Sequence, residues 1–362
     1  MPKIRVLIVD DAVVARRLLS DVLSSDPAIE VAATAPNGRI ALAKLPYIAP
    51  DLVTLDVEMP VMDGLETLAE IRKGYPDLPV IMFSTLTERG ASATLDALLL
   101  GANDYVTKPA NVGSMVAATQ RIRAELIPKI KAFCSKATGL AFSPIAGPQV
   151  ISQYRVPKLS VTRPPQRVDI VAIGVSTGGP NALAHLISEL PANFPVPVVI
   201  VQHMPPIFTK FLAQRLASQS QIDVCEGAPG DILRSGRVWI APGDYHMVLS
   251  RQIVAVQIQT NQAPPENSCR PAVDVLFRSV SEIYCGHTLA VILTGMGQDG
   301  LRGCEVIHKA GGQIIVQDQA SSVVWGMPGR IAMAGLADTI LPLEHMASEI
   351  TRRVQFGRLP LT

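Results

Sequence analysis

Short apolar, β-branched runs recur through the first third of the chain, at residues 6–9, 31–35, 52–55, 80–83 and 105–107. Stretches with helical spacing, such as 13–23 and 65–72, fill the gaps between them. Five βα units follow, and parallel pairing with right-handed crossovers is the economical topology for such alternation. The alternation resumes after Arg167, with buried strands expected at 169–173, 198–201, 289–293 and 314–316. Between them, residues 231–260 carry turn signals at Ser235-Gly236 and Pro242-Gly243 and predict an inserted β-hairpin. The fold class expected is α/β, with two doubly wound parallel-sheet domains.

Charge locates the seam. Residues 1–125 carry 12 basic and 16 acidic side chains, residues 126–168 carry 7 and none, and residues 169–362 carry 13 and 15. The middle segment also holds six prolines (Pro128, Pro144, Pro148, Pro157, Pro164, Pro165), so it reads as a linker. The expected layout is a domain over 1–125, a basic linker over 126–167 and a second domain over 168–362. A chain of 362 residues suits two domains, each with its own core.

Composition then removes classes. With 48% apolar, 17% charged and 4% aromatic residues, the chain is too hydrophobic for disorder and too poor in stacking side chains for a single-strand nucleic-acid platform. A net charge of +1 provides no field toward nucleic acid or an anionic membrane. Glycine, proline and charge break every apolar run short of the ~18 residues a span needs, and the first residues lack a signal-peptide core. A cytoplasmic location without membrane insertion is expected. Five scattered cysteines (Cys134, Cys225, Cys269, Cys285, Cys304) without a C-x-x-C pair suggest reduced thiols.

Chemistry gathers at two sets of strand ends. Asp10 and Asp11 follow the first strand, Asp56 the third, Ser84 the fourth and Lys108 the fifth. In a doubly wound sheet these positions converge at the carboxyl edge, where ligands bind. Carboxylates crowded there call for a hard cation, and an incomplete oxygen cage that keeps waters suits Mg²⁺. Pro109 predicts a rigid turn after Lys108, a place where a cis bond is an option. The segments L-I-V-D-D, T-L-D-V-E-M-P-V-M-D-G and D-Y-V-T-K-P resemble the response-regulator receiver domain over 1–125. The resemblance implies a flavodoxin-like fold in which Asp56 accepts a phosphoryl group from a histidine kinase. It also implies Mg²⁺ held by Asp10, Asp11, Asp56 and the Glu58 carbonyl, with Lys108 and Ser84 on the phosphoryl oxygens and Tyr105 as a rotamer switch.

The second set starts at Gly174-Val-Ser176-Thr-Gly178, a strand followed by a glycine-rich turn and a helix beginning near Asn181. A dinucleotide loop needs glycine where Ser176 stands, whereas the pattern fits a turn that exposes a nucleophilic hydroxyl. A serine needs a base. His203, directly after a strand, is the first candidate and His246 its rival; Asp299, in a glycine-rich loop after a strand, is the orienting acid, with Asp318 the weaker competitor. The order Ser, His, Asp departs from that of α/β-hydrolases. The segments G-V-S-T-G-G-P, V-Q-H-M-P, A-P-G-D-Y-H, R-P-A-V-D-V-L-F and L-T-G-M-G-Q-D-G resemble the methylesterase domain of the chemotaxis protein-glutamate methylesterases, over about 168–355.

That resemblance implies a Rossmann-like domain with Ser176 as nucleophile, His203 as base, Asp299 as orienter, and Thr177 and Met296 lining the site. The Met296 N–H would serve an oxyanion, and no cofactor would be needed for the ester step. The expected activity is phosphorylation-stimulated removal of methyl groups from chemoreceptor glutamates, releasing methanol, with glutamine deamidation beside it. A DNA-binding regulator is disfavoured by the acidic second domain and the lack of a helix-turn-helix pattern. A scaffolding response regulator with an inert second domain is the other alternative.

Overall fold

The computed structural model describes residues 3–109, 115–138 and 166–358. The chain divides into two compact units, Met1–Tyr154 and Arg155–Thr362. The first contains β1 (Ile4–Val9), α1 (Val13–Ser24), β2 (Ile29–Ala35), α2 (Gly38–Ile48), β3 (Leu52–Asp56), α3 (Gly64–Gly74), β4 (Val80–Ser84), α4 (Glu88–Leu99), β5 (Asp104–Thr107) and α5 (Met115–Thr138). Its strands run parallel in the order β2-β1-β3-β4-β5, so the chain reverses direction across the sheet between β1 and β3. Ile4, Val6 and Ile8 from β1, Ile81 and Phe83 from β4 and Val106 from β5 share one core with α1 and α5.

The expected linker is corrected at its start. Leu126, Ile127, Ile130 and Cys134 are buried in that core as part of α5, although Pro128 lies inside the helix. Two of the lysines that made the segment look like a basic tether are paired: Lys129 lies 3.1 Å from Asp104 and 3.5 Å from Glu125, and Lys131 lies 2.6 Å from Asp26. Residues 139–165, the rest of the expected linker apart from its last two positions, lie outside the described residues.

The second unit contains β6 (Ile170–Val175), α6 (Gly179–Ser188), β7 (Val198–Gln202), α7 (Phe208–Gln219), β8 (Asp223–Glu226), β9 (Arg237–Ile240), β10 (His246–Arg251), β11 (Val256–Asn261), α8 (Val273–Tyr284), β12 (Thr288–Ile292), α9 (Leu301–Lys309), β13 (Gln313–Gln317), α10 (Met327–Met333), β14 (Thr339–Leu341) and α11 (Leu343–Gln355). Seven parallel strands run β14-β13-β12-β6-β7-β9-β8. The central strands are buried at every position and apolar but for Gln202 and Thr288, as expected of parallel strands covered on both faces. The expected insert is only partly a hairpin: β10 and β11 pair antiparallel, but β9 joins the main sheet between β7 and β8. Its Val238, Trp239 and Ile240 are too apolar to lie outside that sheet. Among the described residues no helix is long and apolar enough to cross a membrane.

Candidate functional sites at two sheet edges

In the first unit, β1 pairs directly with β3 in a register that matches Val9 with Leu55, which makes Asp10 and Asp56 neighbours just past the apolar strands. Oxygen atoms of Asp10, Asp11 and Asp56 lie within 4.8 Å of one another, a set of hard donors suited to a small divalent cation. Lys108 Nζ reaches Asp10 Oδ2 at 2.9 Å and Asp56 Oδ2 at 2.7 Å. Burial pushes the Asp56 carboxyl up to about 6, the Asp10 charge adding to this and the Lys108 hydrogen bond opposing it. Gly64 is required by the close approach of α3: a Cβ there would lie 2.2 Å from the Asp56 carbonyl oxygen. The α3 N-terminus is fixed by a capping box between Asp63 and Glu66.

Not every expected group points at the acids. The Ser84 hydroxyl is buried and donates to the Gly90 carbonyl at 3.1 Å. Tyr105 is buried, with the Lys129 ammonium 5.4 Å from its ring centroid. The Glu58 backbone N–H faces the Asp56 carboxylate, while its side chain pairs with Arg89 at 3.1 Å. The cis option at Lys108-Pro109 is not taken, since among the described residues the cis peptide bond is Arg270-Pro271. Trans is the lower-energy isomer even before proline.

In the second unit, β6 and β7 pair in parallel with Val175 opposite Gln202, and Ser176 and His203 are the next residue on each strand. The His203 N–H donates to the Val175 carbonyl at 3.2 Å, and the Gln202 amide donates to the Ser176 carbonyl at 3.0 Å and the His203 carbonyl at 3.3 Å. One buried side chain thus ties both turns together. The turn after β6 takes its left-handed residue at Gly178 (φ 77°), and Ser176 N–H donates to the Thr294 carbonyl at 3.1 Å. Thr177 is buried and its carbonyl accepts from the Thr294 hydroxyl at 3.0 Å. Met296 lies on the loop after β12, beside Gly295, where a Cβ would come within 2.9 Å of the Ser176 Cβ.

His203 Nε2 lies 2.7 Å from Asp299 Oδ2. Asp299 is buried and also accepts from the N–H groups of Val273 (2.7 Å), Asp274 (3.0 Å) and Gly300 (3.0 Å) and the Asn267 amide (3.0 Å). Two of these are the first residues of α8, so the anion sits at a helix N-terminus. Burial alone would raise this carboxyl; the His203 hydrogen bond and charge, with the Asp274 and Val273 N–H groups, hold it below the ordinary range. Burial works to lower the His203 imidazole, but the hydrogen bonds of Asp299 and of Cys269 raise it above its usual value. With Nε2 on Asp299, Nδ1 is the imidazole nitrogen left for another partner, and the Cys269 side chain hydrogen-bonds the ring.

The rivals hold other partners. His246 is buried at the start of β10 with Nε2 3.2 Å from the Pro264 carbonyl, and Asp318 caps a turn by accepting from Ser321 N–H and Oγ at 2.9 and 2.7 Å.

Residues 171–350 match the CheB methylesterase model, and residues 6–120 match the response regulator receiver domain. A protein-glutamate methylesterase/protein-glutamine glutaminase of Trichodesmium erythraeum is 59% identical over 98% of this chain and 100% of its own length. Its counterpart in a Nocardioides species is 52% identical over 98% and 96%. The chain belongs to the protein-glutamate methylesterase/protein-glutamine glutaminase family. Its catalytic unit is also similar to the Thermotoga maritima CheB methylesterase catalytic domain, at 44% identity and a TM-score of 0.51, covering 52% of this chain and 99% of that one.

Within this methylesterase, the residues that sequence reasoning passed over are Gln202, Asn267 and Asp274. Gln202 stood inside V-Q-H-M-P and Asp274 inside R-P-A-V-D-V-L-F. A buried amide beside an edge histidine was the available signal for the first.

Proposed function

We propose that Ser176 is the nucleophile of a serine esterase that hydrolyses glutamate methyl esters on chemoreceptors, with His203 as base and Asp299 as orienter. The observation that carries this reading is the register that sets Ser176 beside His203, whose far nitrogen is 2.7 Å from Asp299. His203 takes the Ser176 proton as Oγ attacks the ester carbonyl, then returns it to the departing methanol; water, deprotonated by the same imidazole, releases glutamate from the acylated serine. The Met296 N–H donates to the oxyanion and Thr177 lines the site. The same steps with ammonia leaving deamidate glutamine.

The receiver, which includes α5, takes a phosphoryl group from a histidine kinase on Asp56 and raises the activity of the catalytic domain over 168–362. Asp10, Asp11, Asp56 and the Glu58 carbonyl are the residues to hold Mg²⁺, which when bound neutralises phosphoryl charge. Lys108 pairs with the phosphoryl oxygens, and Ser84 turns from Gly90 to meet one of them as Tyr105 changes rotamer. The setting is the cytoplasm, in adaptation of bacterial chemotaxis. Methanol release from methylated receptor, with and without a small phosphodonor, tests both halves. Stimulation in the wild type and none in Asp56→Asn is expected; equal stimulation of both proteins would refute the switch.

A further inference from the structure

Asn267 sits in a loop fastened on both sides. Arg278 grips Glu266 with two hydrogen bonds of 2.7 and 2.6 Å, and Arg270 grips Asp244 at 3.1 and 2.6 Å. The Glu266 and Cys269 backbones bond each other in both directions at 3.1 and 2.9 Å. Between these anchors, Asn267 and Ser268 take left-handed backbones (φ 52° and 63°), a conformation that asparagine tolerates better than most side chains. The loop thereby presents one amide nitrogen to two buried carboxylates: Asn267 Nδ2 donates to Asp274 Oδ2 at 2.9 Å and to Asp299 Oδ1 at 3.0 Å.

Two acids so close repel, and the imidazole hydrogen-bonded to Asp299 must give up its charge during turnover. Asp274 takes a Gly303 N–H at 2.7 Å, and burial raises its carboxyl to about 6. We propose that Asn267 is a positioning residue for the hydrolysis: its amide spans Asp299 and Asp274 and fixes the Asp299 carboxylate in the orientation that receives His203 Nε2–H. This rests on the triad reading above. An amide suits the task because its two N–H bonds serve both carboxylates without adding a charge that would shift the balance with His203.

The charged groups that bear on this pair are His203, Glu266 and Arg278; the Cys269 side chain hydrogen-bonds the His203 ring, and Cys304, its thiol raised by burial, faces both acids uncharged. All but the amide remain in Asn267→Ala and Asn267→Gly. The glycine variant keeps the left-handed backbone at no cost, so it separates loss of the amide from loss of the loop. In the full-length protein, kcat for methanol release should fall roughly 10–100-fold in both variants, because small misplacements of catalytic groups carry penalties of that order. KM should change less than about twofold. The pH inflection of kcat/KM should move to lower pH, because a loosened Asp299 raises His203 less.

Wild-type kcat in Asn267→Gly would overturn the proposal, as would a fall in kcat with the inflection unmoved or a rise in KM of matching size. Ser176→Ala, run beside them, keeps the two readings apart. Full activity there refutes the triad, whereas an inactive Ser176→Ala with wild-type Asn267 variants refutes only the positioning role.

Discussion

Both units place a carboxylate at the carboxyl edge of a parallel sheet, yet they stabilise it in opposite ways. Asp299 is surrounded by three backbone N–H groups, an amide and an imidazole, and its carboxyl lies below the ordinary range. Asp56 has the Lys108 ammonium and one backbone N–H, that of Glu58, with two other carboxylates within 4.8 Å, and its carboxyl is pushed up to about 6. The first arrangement is saturated with fixed donors and suits a permanent charge. The second sets three carboxylates around one ammonium, a donor set that suits a hard divalent cation. The difference in donors matches the two proposed roles, a fixed orienting acid for Asp299 and an acid that takes part in binding and transfer for Asp56.

The contrast breaks most visibly if the catalytic edge is disarmed. Ser176→Ala and His203→Ala should each lower methanol release by roughly 10³-fold or more, and the double variant should be little worse, because such groups act as a unit. Turnover near the wild type in His203→Ala would show that the saturated edge is structural only.

Next in size is the phosphodonor effect. A coupling of about 1–3 kcal/mol corresponds to roughly 5–150-fold stimulation. In Asp56→Asn the ratio of stimulated to basal activity should fall to one, and phosphate mapped by mass spectrometry to another residue would refute the acceptor assignment.

A smaller effect concerns stability. An acid whose folded value is raised binds its proton more tightly when folded, so Asp56 contributes stability below about pH 4 that is lost as pH rises through about 6. The shift is worth at most about 3 kcal/mol. Unfolding of the receiver without divalent cation should become easier over that window, and Mg²⁺ should flatten the dependence; a profile unaffected by Mg²⁺ would contradict the cation reading of Asp10, Asp11 and Asp56. Smallest of all, His246→Ala should keep a substantial part of the turnover, since its imidazole serves the Pro264 carbonyl.

What was legible in the chain follows the same contrast. Both sheets were readable because each central strand is an almost continuous apolar run, and the residues that end those runs fall at one edge by geometry alone. Asp10, Asp56, Ser176 and His203 were found in that way. Lys129 and Lys131 misled the charge count because the acids they pair with fall outside the segment counted: Glu125 and Asp104 for Lys129, and Asp26, 105 positions away, for Lys131. The Asn267 clamp was invisible for a similar reason. Its loop has no periodicity, and its meaning depends on Asp299, 32 residues later. β9 escaped because turn signals on both sides of a four-residue strand resemble those of a hairpin.

The central claim is that Ser176, activated by His203, attacks the ester. Treating the full-length protein with a serine-directed phosphonate and mapping the adduct by mass spectrometry tests it most directly. The account predicts a single phosphonyl group on Ser176, with labelling strongly slowed in His203→Ala and methanol release lost in step with it. Loss of methanol release with the label on any other residue, or with Ser176 unmodified, would contradict it.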